Sequence, residues 1–235
     1  MTAHPGEAHT GDLSGRLNWL RAGVLGANDG IVSTAGIVIG VAGATVTTAP
    51  IATAGTAGLV AGAVSMALGE FVSVSSQRDT ERALLAKERT ELLEFPEMEL
   101  EELAGLYEAK GLTPETARRV AEELTARDAF AAHADAELHI DPQALTSPWQ
   151  AAGASALAFT AGALLPLLAI LLPPASARVP VTFGVVVAAL ALTGWISARL
   201  GSAPARRAVT RLVTGGILAM AVTFGVGQVV GAAVT

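Results

Sequence analysis

Six residues in the middle of the chain have the types and spacing that hold a divalent cation. Glu88 and Glu91 are three apart, as are Glu99 and Glu102, and His133 and Glu137 are four apart. On a helix, residues at these separations share a face. Carboxylates grouped with an imidazole suit iron(II), manganese(II) or zinc(II). The same spacing also occurs on any glutamate-rich helix whose acidic face is simply solvated. Neighbours in "ELEE" and "AEEL" cannot all be ligands. On spacing alone, both readings stand.

A second group lies in apolar sequence. Asp29 heads, and Glu70 closes, a stretch with no charged residue from Gly30 to Gly69. A carboxylate at the centre of a membrane helix costs about 2.5–3.5 kcal/mol on insertion scales, and such residues mark ion pathways. Met66 precedes Glu70 by four residues, and Gly69, Ser73 and Gln77 form a small, polar stripe beside it. A thioether next to a carboxylate favours a soft-to-borderline cation over calcium or magnesium. The competing reading makes Met66 a gap filler and Asp29 a helix cap.

The elements that carry these residues follow from composition. The 235 residues are 51% hydrophobic and 15% charged, with a mean hydropathy of +0.51. A typical soluble domain has about 25% charged residues. Charge is also segregated: residues 88–141 hold 15 of the 21 acids and 5 of the 15 lysines and arginines. Five stretches reach the roughly 20 apolar residues that a membrane helix needs: 20–44, 51–69, 147–172, 179–198 and 212–235. Glycine and alanine fill them, which lets membrane helices approach closely. The acidic segment reads as three helices, the first extending from the second span. Pro96 and Gly111 punctuate the next, and Thr113-Pro114 starts the last, which runs to about residue 140.

The expected architecture is therefore an all-α integral membrane protein with a three-helix insert between helices two and three. Its parts are a tail (1–19), helices one and two (20–81), an acidic insert (82–145) and helices three to five (146–235). Basic residues before helix one, after helix two and between helices four and five place the N-terminus and the insert in the cytoplasm, with the C-terminus outside. A pI near 5.2 argues against nucleic acid as a partner. No cysteine is present, which excludes disulfides and thiolate sites. The N-terminus does not read as a signal peptide, and short loops suggest a bacterial inner membrane.

"VLGANDGIVSTAGIVIGVAGA" followed by "AGAVSMALGEFVSVSSQRDTERA" resembles the first two membrane helices of the vacuolar iron transporter family. The resemblance is specific there and in the five-span topology; helices three to five are generic. It implies a homodimer of five-helix protomers whose pathway lies at the dimer interface, lined by helices one and two. It also implies export of iron(II), often manganese(II), from the cytosol by proton antiport. The family's pore residues fall on Asp29 and Met66, with the adjoining acid on Glu70. Its cytoplasmic glutamate ligands fall on Glu88, Glu91, Glu99 and Glu102. Where the family has two methionines before a glutamate, this chain has His133, Ala134 and Glu137. Losing the thioethers for an imidazole shifts the preference toward iron(II), manganese(II) or zinc(II) held by nitrogen and oxygen.

The functional expectation is thus a divalent-metal transporter with a cytoplasmic metal-collecting insert, exchanging metal for protons across the bilayer. The alternative is a membrane-anchored metal sensor or storage protein, but an anchor needs no Asp29, Met66 or Glu70 within its spans. Enzymatic activity is not expected. A ferritin-type di-iron centre requires paired Glu-x-x-His motifs, and the sequence has none. No prosthetic group is implied; the metal is cargo.

Overall fold

The computed structural model describes residues 13–201 and 203–234, with side chains from residue 23 onward. Most of the expected 1–19 tail, and the Arg16 and Arg21 side chains, lie outside this set. The described residues form seven helices in the order α1 (Leu13–Ala44), α2 (Thr48–Glu94), α3 (Pro96–Ala109), α4 (Pro114–Ala136), α5 (Pro148–Leu171), α6 (Arg178–Leu200) and α7 (Ala205–Val234), and no strand. Five of them, α1, α2, α5, α6 and α7, are long and apolar enough to cross a membrane. The protein is an all-helical integral membrane protein.

Two compact units divide the chain, residues 1–71 with 149–235, and residues 72–148. In the first, α1 supplies Ile31, Ala35, Val38 and Ile39 to a core shared with Ile51 of α2, Leu167 and Ile170 of α5, Val186 and Leu190 of α6, and Met220 of α7. Close approach of backbones makes this packing possible. A side chain at Gly30 would collide with the Phe159 carbonyl, and one at Gly162 with the Ala27 carbonyl, so α1 and α5 touch main chain to main chain. Glycine serves where membrane helices gain little from hydrophobic burial and associate through contact. The span of α2 is the least covered of the five, with Val60, Val64 and Leu68 exposed.

Arg178, at the start of α6, is 6% exposed. It donates to the Val46 carbonyl at 3.3 Å and to Thr48 Oγ1 at 3.1 Å, tying the α1–α2 turn to α6. In the fold this arginine is a clamp.

Helix boundaries differ from expectation in two places that matter. The last span begins at Ala205 rather than 212, because the Pro204 carbonyl accepts the first helical N–H groups, from Arg207 and Ala208. The last insert helix, expected unbroken to about residue 140, is interrupted at Asp128, whose backbone is extended (φ −167°, ψ 93°). The Asp128 carboxylate accepts the Ala131 N–H at 3.0 Å, so the residue that breaks the helix also caps the segment that follows. That segment ends at Ala136. His139 adopts a left-handed conformation (φ 54°), and the Ile140 N–H returns to the Ala134 carbonyl at 2.8 Å. The chain therefore turns back on the helix end through a left-handed histidine, where glycine is usual.

Candidate metal centre

Three helices of the second unit each deliver donors to one buried point. Glu88 comes from the polar part of α2. Glu99 lies in the first turn of α3, which opens with Pro96 and whose Glu99 N–H bonds to the Phe95 carbonyl at 3.1 Å. His133 and Glu137 come from the segment of α4 that Asp128 caps. Leu103, Ala104, Ala121 and Ala136 form the small apolar core that holds α3 against α4.

His133 is fully buried, and Glu88 and Glu99 are 3% and 7% exposed. The His133 Nδ1 atom lies 3.0 Å from Glu88 Oε1, 3.6 Å from Glu99 Oε2 and 3.7 Å from Glu137 Oε2. Ligand atoms of Glu88, Glu99 and His133 all fall within 4.8 Å of one another. Yet Glu88 Oε1, Glu137 Oε2 and both ring nitrogens of His133 lack a hydrogen bond of acceptable geometry. Buried polar atoms are nearly always bonded, and each exception calls for a reason. Metal–oxygen and metal–nitrogen bonds of about 2.0–2.2 Å would draw these atoms onto one ion with small side-chain adjustments.

Electrostatics point the same way. Burial, then the nearby charges of Glu137 and Glu99, push the Glu88 carboxyl up to about 7. Burial first, then the Glu102 charge, raises Glu99 as well. Three carboxylates crowded in a dry site repel one another until a proton or a cation arrives.

The six ligand candidates do not all meet. Glu88, Glu99, His133 and Glu137 converge. Glu91 instead holds Lys87 at 2.8 Å, and that hydrogen bond and charge raise the lysine. Glu102 is exposed, contributing charge beside Glu99. Sequence reasoning missed Asp128, whose side chain orients the His133 segment; its only signal was an aspartate placed three residues before the N–H that it caps. In the first unit, Asp29, Met66 and Glu70 are each half-buried. Ser33 Oγ donates to Asp29 Oδ1 at 2.5 Å, which fixes the carboxylate's rotamer one turn along α1. Glu70 makes no hydrogen bond or ion pair among the described residues.

The family profile described as the VIT family matches residues 20–228, from the start of the first span almost to the end of α7. Similar proteins match along most of their lengths. A protein from Acanthamoeba castellanii named vacuolar iron transporter is 44% identical over 223 residues, covering 94% of this chain and 82% of that one. Vacuolar iron transporter homolog 2 of Arabidopsis thaliana is 39% identical over 226 residues, 96% of this chain and 91% of that one. Homolog 5 of Oryza sativa subsp. japonica is 40% identical over 215 residues, 91% and 81% of the two chains. With five apolar helices and this extent of likeness, the chain belongs to the VIT family.

Proposed function

We propose that this protein transports divalent metal, iron(II) first and manganese(II) second, out of the cytosol in exchange for protons. The observation that carries the reading is the convergence of buried Glu88, Glu99 and His133, with half-buried Glu137 beside them, where Glu88 Oε1, Glu137 Oε2 and both His133 ring nitrogens lack partners. Relatives named as vacuolar iron transporters support the cargo. The insert faces the cytoplasm and collects metal there; the clustered arginines flanking the spans support that orientation. Three carboxylates and one imidazole favour iron(II), manganese(II) and zinc(II) over softer ions.

Asp29, Met66 and Glu70 line the path through the membrane. Asp29 and Glu70 carry the cation's charge across a region where it has no other counter-ion, and they take up protons when it leaves. The weak cover over α2 supports a homodimer in which a second copy packs against this span.

Metal flux into proteoliposomes tests the reading. Wild-type protein should move iron(II) into the lumen and alkalinise it in step, as protons leave in exchange. Asp29→Asn should stop both. Met66→Leu should slow flux or alter metal preference while the fold persists, since such volume-conserving swaps usually cost under about 1.5 kcal/mol. Wild-type rates from correctly assembled Asp29→Asn protein would refute the pathway. Metal binding with no flux under any gradient would identify a sensor or store.

A further inference from the structure

All 21 acids of the chain precede residue 142; residues 142–235 hold five arginines, no lysine and no acid. Four of the five, Arg199, Arg206, Arg207 and Arg211, fall within thirteen residues around the α6–α7 turn. All four are exposed, and none forms an ion pair among the described residues. In the second unit Lys87 pairs with Glu91 and Arg118 with Glu122.

The arrangement is costly without an external anion. Arg207 and Arg211 are four apart on one helix, a like-charge spacing that destabilises it. Arg206 and Arg207 sit in the first turn of α7, where the helix dipole opposes cations and no acid is present. The α6 side of the turn carries a different mark. The Arg199 guanidinium lies 5.2 Å from the Trp195 ring centre. Tryptophan concentrates at the headgroup level of a bilayer. Leu192 and Ile196 are exposed one four-residue step apart on α6, on the bilayer side of Arg199. An apolar strip thus leads up to a cluster of unpaired guanidiniums. A free phosphate would use only the cluster; a phospholipid would use both.

We propose that the α6–α7 turn is a binding site for anionic phospholipid. Arg199, Arg206, Arg207 and Arg211 hold the headgroup phosphate, and the acyl chain lies along Leu192 and Ile196. The site rests on the membrane fold and on charge placement, and is independent of which ion the protein moves.

Tryptophan quenching tests it on the full-length chain. In a background of Trp19→Phe and Trp149→Phe, Trp195 is the sole tryptophan. The protein is placed in vesicles of phosphatidylcholine containing brominated-chain phosphatidylglycerol or, at the same fraction, brominated-chain phosphatidylcholine. One guanidinium near an anionic surface contributes about fivefold (~1 kcal/mol). Trp195 should therefore report a preference of about fivefold or more for phosphatidylglycerol. Arg206→Gln, Arg207→Gln and Arg211→Gln together should remove it, while Arg118→Gln, in the other unit, should leave it intact. The wild-type measurement requires no variant to fold, so equal quenching by the two lipids overturns the proposal outright. A preference that survives in the triple variant also overturns it, as does one lost equally in Arg118→Gln. If excess inorganic phosphate abolishes the preference, the site is for small anions and not for lipid. Crosslinking of the turn to residues 88–141 in vesicles where phosphatidylglycerol shows no advantage would reassign the arginines to the chain's own acidic insert.

Discussion

Replacing Glu88 with glutamine should stabilise the metal-free insert at alkaline pH while destroying its metal site. The carboxyl is 3% exposed, and its pKa rises from an ordinary 4.5 to about 7. Between those values the folded insert holds a proton that the unfolded chain has released. Stability from this group is therefore fully present below about pH 4.5, declines as pH rises toward 7, and is flat above. A rise of this size corresponds to ~3 kcal/mol at 1.36 kcal/mol per pKa unit. Glu99, also raised, acts in the same direction. Glutamine keeps the size of the protonated acid and cannot ionise, so Glu88→Gln should gain up to ~3 kcal/mol over wild type at pH 8 and almost nothing near pH 4.5. Amide exchange of α3 and α4 in the full-length, chelator-treated protein reads this opening energy at each pH. Adding manganese(II) should raise protection in wild type at pH 8 and leave Glu88→Gln unchanged, because a ligand is gone. Equal wild-type protection at both pH values, or a glutamine variant less stable than wild type at pH 8, would refute the assignment of Glu88 as a strained carboxylate awaiting a cation.

Further substitutions probe the supports of the site and the spans. Asp128→Ala removes the cap on the Ala131 N–H and should cost about 1 kcal/mol; titration calorimetry should also show weaker metal binding, since the His133 segment loses its anchor. His139→Gly should change thermal stability by less than about 1 kcal/mol in thermal melts, because relief of the left-handed conformation (φ 54°) is offset by loss of the ring's 2.9 Å hydrogen bond with the Asp135 carbonyl. Gly162→Val should prevent assembly of the first unit, with loss of the monodisperse species on size exclusion, because its side chain would enter the Ala27 backbone of α1. Metal affinity of wild type should fall as pH drops through about 7, as protons compete for Glu88.

Much of the architecture is written in the order of residue types. Five apolar stretches separated by charge or proline must become helices in a bilayer, because no other open structure satisfies every backbone group there. Their number and type follow from composition; their ends do so less well. The start of α7 at Ala205 depends on Pro204 accepting the first turn's N–H groups, which an apolar count passes over.

The candidate metal residues divide along the same line. Spacing along a helix placed Glu88 beside Glu91, Glu99 beside Glu102, and His133 beside Glu137. Periodicity within one helix cannot say which member of a pair faces another helix. Packing of α3 on α4 turns Glu99 inward and leaves Glu102 exposed, and Lys87 holds Glu91 on the outside. The bend at Asp128 sets the direction of His133, and no pattern of apolar residues encodes that bend. Sequence by itself determined a helical membrane protein with acids and a histidine grouped in the right segments. Only the tertiary structure decided that Glu88, Glu99 and His133 share a dry point with Glu137 at its edge, because burial and convergence arise from contacts between helices that are far apart in the chain.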